Sequence, residues 1–287
     1  MSASASARSR PEPGGALGTR WATVSSVNGE MAQYFALATH GSAWLTERTP
    51  DAWPHLERDH STFQFVQAVT FGGTDSVLSW LKRLATQRVD RIWLTMPDLF
   101  GRDGAGPLPW HQQAAFAGGI PAGLLTTSGA GNELWRASWT VGNSDVPDQR
   151  IWQVNYHNTR VSFGPQRLDV QDAATALLKS LHRAHAFAAR HDLDPWQQIF
   201  TNAQQQWFAA DAEPVYHQDL FPDGCYDPAS RRLASMAQAA WVFGGMGSWN
   251  DLGFPETDLH TEYEQITQDL FSSVMHSCLA SANADLA

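Results

Sequence analysis

Arg150–Arg190, RIWQVNYHNTRVSFGPQRLDVQDAATALLKSLHRAHAFAAR, changes its hydrophobic period partway along. Before Gly164 the apolar residues alternate. Trp152, Val154 and Tyr156 share one face at period two, as in a half-buried strand. From Gln166 the spacing becomes helical, with Val170, Ala174, Leu177, Leu178, Leu181, His185 and Ala188 along one stripe. Strands before this point and helices after it define the α+β class. The expected architecture is a mixed, largely antiparallel sheet from residues 19–165, packed by four main helices from 166–287. No linker parts the halves, so 19–287 reads as a single domain. Residues 1–18, MSASASARSRPEPGGALG, read as a disordered leader, since they lack the apolar run of a secretory signal.

Working upstream, Arg150–Tyr156 and Thr159–Phe163 are expected to pair as a hairpin. Gly123–Thr127 and Glu133–Val141, joined by Ser-Gly-Ala-Gly-Asn, form another. Thr62–Phe71 places Phe63, Phe65, Val69 and Phe71 at period two. Thr74 then caps a helix carrying Val77, Leu78, Leu81 and Leu84, and Asp90–Met96 is a further strand. This order predicts one βαβ unit with its two strands parallel. Near the start, Arg20–Val27 reads as a strand and Asn28-Gly29 as a hairpin turn. The returning segment from Glu30 is therefore read as strand, although Met31, Tyr34, Phe35 and Ala38 also fit a helix.

Downstream, Asp194-Pro195 and Asp227-Pro228 each look like an N-cap followed by Pro at the first helical position. The second opens an Ala-rich helix that stops at Gly244-Gly245 and turns through Met246-Gly247-Ser248-Trp249-Asn250-Asp251. The last helix runs from Pro255 to about Ala282, with Leu259, Tyr263, Ile266, Leu270, Val274 and Cys278 as its seam.

Composition narrows the function. The 13 Trp read as bulky core filling. Two cysteines imply no disulfide framework and a reducing, cytoplasmic setting. No apolar run is long enough to span a membrane. Residues 166–287 carry 6 Lys and Arg against 16 Asp and Glu, and no Lys or Arg follows Arg232. Such a half repels nucleic acid and anionic lipid and suits a basic protein partner.

No complete cofactor or catalytic motif is present, so candidate sites rest on local chemistry. Tyr216–Asp227, YHQDLFPDGCYD, gathers His217, Asp219, Asp223 and Cys225 in one loop. His217 and Asp219 are candidate acid–base groups, and Asp219 and Asp223 are candidate oxygen ligands for a divalent metal. The carboxylates stand four apart, so this is no EF-hand, and Asp227 is taken up as a cap. In the 244–251 turn, Ser248 is a candidate nucleophile, but the helix precedes the turn, the reverse of a nucleophile elbow. Trp249, Asn250 and Asp251 are candidate binding residues, as are Asp98 and Arg102 in the loop after the Asp90–Met96 strand. His182 and His185 lack the Glu of a zinc-binding HExxH helix.

Two functions follow. One is a non-enzymatic binding protein of immunity or regulatory type, using its acidic helical face on a basic partner. The other is a hydrolase-type enzyme, with or without a divalent metal, sited between loop 216–227 and turn 244–251.

Overall fold

The computed structural model describes residues 29–46, 56–99, 108–210, 212 and 216–287. The first element, helix α1 (Gly29–Leu45), is buried along nearly its whole length. That burial explains why its period was hard to read. A helix covered on every side needs no polar face, so its apolar residues do not form a stripe. The strand expectation for the segment after Gly29 is thus corrected to helix. The expected strand at Arg20–Val27, and Asn28 with it, lie outside the described residues.

Next come α2 (Leu56–Asp59), a single 3-10 turn at Ser61–Phe63, β1 (Val66–Phe71), α3 (Val77–Thr86) and β2 (Ile92–Thr95). After them follow α4 (Trp110–Gln113), β3 (Gly123–Ser128), β4 (Gly131–Val141) and β5 (Trp152–Val161). The sheet order is β1-β5-β4-β3-β2, with β1 parallel to β5 and every other pairing antiparallel. The helical half comprises α5 (Val170–Arg190), α6 (Asp194–Phe208), α7 (Pro228–Ala239) and α8 (Thr257–Ala282). The fold is α+β with a mixed, mostly antiparallel sheet.

Several local expectations change. The strand–helix–strand order of β1, α3 and β2 is present, but β1 and β2 lie at opposite edges and do not pair. β2 has no edge to offer a parallel neighbour. Ser42 of α1 bonds both Ile92 N and Ile92 O at 3.0 Å. Asn283, at the end of α8, accepts from Leu94 N at 2.9 Å and donates to Leu94 O at 2.8 Å. Two side chains thus seal the edge as a strand would. Gly41 permits the approach, because a Cβ there would meet Ile92 Cδ1 at 2.5 Å.

The hairpin expected within 150–163 is one continuous strand, β5, because His157-Asn158 pairs straight across to Trp135 and Arg136 of β4. Phe65 is 42% exposed, since the 3-10 turn at 61–63 precedes β1 and breaks the alternation there. Thr74 closes the turn after β1, and Ser76 caps α3 by accepting from Ser79 N. Helix α6 starts at Asp194 with Leu193 as its cap residue, one position earlier than expected. The Asp227 cap of α7 is as expected, accepting from Ala229 N at 2.7 Å and Ser230 N at 3.0 Å.

The sheet and the helices share one hydrophobic core, with α1 between them. In the sheet half, the Phe71 ring stacks on both Trp80 and Tyr156, at 4.3 and 4.5 Å. In the helical half, Trp249 is surrounded by Phe187, Trp196, Phe200 and Tyr263. Every Trp among the described residues is buried or half-buried, as core filling requires. No helix among the described residues is long and apolar enough to cross a membrane.

Candidate active site

The loop 216–227 does not face the 244–251 turn through any hydrogen bond among the described residues. It packs instead on α1 and on the 3-10 turn at 61–63, and its polar groups converge on Ser61. The Ser61 hydroxyl lies 2.7 Å from His217 Nδ1 and 2.5 Å from Asp219 Oδ1. The Ser61 main-chain N–H also donates to Asp219 Oδ2, at 2.7 Å. His217 is buried, Ser61 half-buried, and the Asp219 side chain 38% exposed, so the cluster opens on one side to solvent.

Two further imidazoles hold the loop in place. His40 Nε2 and His60 Nε2 approach the main-chain oxygen of Asp219 at 2.8 and 2.6 Å. A carbonyl only accepts, so both rings carry their proton on Nε2. His60 Nδ1 is then bare and accepts from Thr62 N at 3.2 Å and from Thr62 Oγ1 at 2.9 Å. The 3.6 Å between His60 Nδ1 and Asp219 Oδ2 is therefore a contact between a neutral ring and a carboxylate. Behind the turn, Gln33 of α1 reaches Thr62 O with Nε2 and accepts from Tyr156 OH at 2.6 Å. Thr39 donates to Leu220 O at 2.6 Å.

Electrostatics sort the ionisation states. Burial lowers the pKa of His217 to about 4 and that of His40 to about 4, and it also lowers that of His60. Burial works against ionised Asp219, a protonated His60 would favour it, and the two hydrogen bonds from Ser61 favour it at every pH. Its pKa falls below the ordinary carboxylate value. At neutral pH the cluster holds one carboxylate and three neutral imidazoles. Ser61 has a single proton, which it donates to the carboxylate, so His217 must present Nδ1–H to Oγ. Otherwise two lone pairs would face each other at 2.7 Å. Serine thus lies between imidazole and carboxylate, unlike the Ser–His–Asp relay, where the imidazole is in the middle.

The other sequence candidates have structural roles. Ser248 accepts from Asn250 N and donates to Gly244 O. Trp249 is fully buried, with Nε1 on Thr267 Oγ1 at 2.8 Å. Asn250 holds His111 through both its side-chain atoms, and Asp251 accepts from Gly247 N. Asp98 pairs with Arg136 on the surface, and Arg102 lies outside the described residues. Asp223 is exposed, and no group of three His, Cys, Asp or Glu among the described residues is arranged to hold a metal. Cys225 is buried, with Sγ on Asp223 O rather than on His217.

Ser61, His60 and His40 were missed by sequence reasoning. The run Asp59-His60-Ser61-Thr62 was the available signal, hidden because Ser61 lies just before an apparent strand and 156 residues from His217. No protein-family model, no curated protein and no solved structure matches this chain.

Proposed function

We propose that the protein is a hydrolase-type enzyme acting through Ser61. The observation that carries this reading is the Ser61 hydroxyl held within 2.7 Å of His217 Nδ1 and 2.5 Å of Asp219 Oδ1, at a point open to solvent. In this scheme Ser61 Oγ attacks an ester-type carbonyl while its proton passes to Asp219. Asp219 returns the proton to the leaving oxygen, and water later releases the acyl group by the same route. His217 fixes the direction of the Oγ lone pairs through its Nδ1–H. Two buried free cysteines agree with action in a reducing cytoplasm. The test is hydrolysis of p-nitrophenyl acetate together with covalent labelling by a fluorophosphonate. Both are expected in the parent protein and absent in Ser61→Ala. A Ser61→Ala protein as active as its parent ends the reading.

A second reading, the non-enzymatic binding protein with a basic partner, is favoured by one end of the helical bundle. Phe254, just before α8, packs on Phe187 of α5 and on His191 just past its end, bringing the two helix ends together. Asp192, Asp194, Glu256 and Asp258 are exposed there, with no ion pair to them among the described residues. Farther along α8 the acids are already engaged: Glu262 pairs with Arg190, Asp269 pairs with Arg183, and Glu264 lies against the His111 and His260 rings. Reversing those four exposed charges is expected to slow association with a basic partner and to abolish its salt dependence. Unchanged association kinetics would count against it.

A further inference from the structure

Four residues beyond Ser61, Phe65 forms one wall of an open cleft of about 380 Å³, whose other walls are Ser144, Val146, Gln149, Ile151 and Trp152. That volume falls within the range of small-ligand sites, which run from roughly 300 to 1,000 Å³. Apolar groups dominate the lining, and two of them are aromatic. Phe65 is 42% exposed although it directly precedes a strand whose Val66, Val69 and Phe71 are buried. Trp152 is half-buried, braced edge-on by Trp139 at 5.9 Å, so its ring is a fixed wall. The polar rim is supplied by Gln149 and Ser144. Gln149 has φ 59°, a left-handed conformation unfavourable for a side chain with a Cβ. Strain of this kind persists where the surrounding structure enforces it and concentrates at ligand clamps.

Hydrogen bonds join the cleft wall to the segment that carries Ser61. Trp152 N donates to Phe65 O at 3.0 Å, and Arg150 Nη2 reaches Glu57 O at 3.4 Å, tying the 144–152 wall to both flanks of Ser61. Gln64, between the two, bonds Tyr216 OH at 2.9 Å beside His217. Four residues of chain span at most about 14 Å. A group seated against Phe65 therefore sits on the same short segment of chain as Ser61.

We propose that this cleft binds the apolar part of a small uncharged ligand, a phenyl ring or an acyl chain of about six carbons. Phe65, Val146, Ile151 and Trp152 take the apolar group. The binding stands on the cleft alone. Its assignment as the substrate's acyl subsite rests on the hydrolase reading, and names esters of medium acyl or aryl acids as the substrate class.

Binding of benzamide, hexanamide and acetamide to the full chain, followed by saturation-transfer NMR and calorimetry, tests the proposal apart from catalysis. The variants are Ser61→Ala, Phe65→Ala and Val146→Asp, each first checked for a parental circular dichroism spectrum. Phe65 and Val146 are exposed or half-buried, so both substitutions suit a folded protein. The expected result is binding of benzamide and hexanamide but not acetamide, retained in Ser61→Ala and weakened at least about tenfold in Phe65→Ala or Val146→Asp. No binding of either larger amide, acetamide bound equally well, or affinities unmoved by both cleft variants would overturn it. Retained amide binding in a protein without Ser61-dependent ester hydrolysis would keep the cleft and remove only the hydrolase reading.

Discussion

At Ser61 the proton inventory decides the chemistry. Because His217 presents Nδ1–H to Ser61 Oγ, only the ionised Asp219 is placed to receive the hydroxyl proton. Ester hydrolysis is therefore expected to be level between pH 8 and pH 6. It falls only where Asp219 protonates, below the ordinary carboxylate value. An inflection near pH 6.5 would instead point to an imidazole base whose pKa burial has not lowered, against the environment of His217. Asp219→Asn is expected to lower the rate by about 10²- to 10⁴-fold, the usual contribution of a positioned acid–base group. A second residue-scale effect belongs to Glu30, which is 4% exposed and accepts from Gly118 N at 2.9 Å. Burial raises its pKa to about 7, from 4.5 in the open chain. Between those values the unfolded chain has released a proton that the folded chain keeps, so stability falls as pH rises through this window. Glu30→Gln removes the charge while keeping an acceptor for Gly118. The substituted protein is expected to gain up to about 3 kcal/mol at pH 8 and nothing at pH 4, by urea unfolding at both pH values.

Among the elements, β2 shows how a short edge strand is held. Its outer N–H and C=O groups are met by Ser42 and Asn283, side chains delivered by α1 and α8. Asn283 also donates to Gln166 O at 2.8 Å, tying the start of the helical half to the same edge. Asn283→Ala leaves Leu94 N and O buried without partners. Each orphaned group costs roughly 1–3 kcal/mol, so a loss of about 3 kcal/mol is expected in urea unfolding. A loss below about 0.5 kcal/mol would mean that water replaces the amide there. Helix α8 thus contributes through one C-terminal side chain as well as through its apolar seam.

For the whole molecule, three imidazoles packed around one loop set the acid limit. His40, His60 and His217 are all depressed below 6.5 by burial, and His276 on α8 shares that fate. Between pH 6.5 and pH 4 the unfolded chain binds protons that the folded chain refuses. Stability supplied by these groups is complete above pH 6.5 and is lost as pH falls toward 4. Glu30 acts in the opposite direction over pH 4.5–7, but as one group against four. The melting temperature is expected to drop steadily from pH 7 to pH 4.5, and the slope should flatten in a His40→Gln, His60→Gln double variant. An equal slope in that variant would place the acid lability elsewhere.

The sequence by itself determined the elements whose signals are local. The switch of period near Gln166 separates sheet from helices because one face of each is buried. Asp227-Pro228 starts α7 because capping chemistry lies within three residues, and the Gly129-Ala130 turn fixes the β3–β4 hairpin. Local signals also misled. Asn28-Gly29 suggested a hairpin where a helix begins, since α1, enclosed on every side, carries no amphipathic stripe to outweigh the turn. Tertiary structure alone decided strand order and the candidate site. Nothing in Asp90–Met96 announces that its free edge will be sealed by Ser42 and Asn283. Of the site, His217 and Asp219 were legible in one loop. Ser61, His60 and His40 were not, because hydrogen bonds between residues some 160 to 180 positions apart leave no periodic trace in a single sequence.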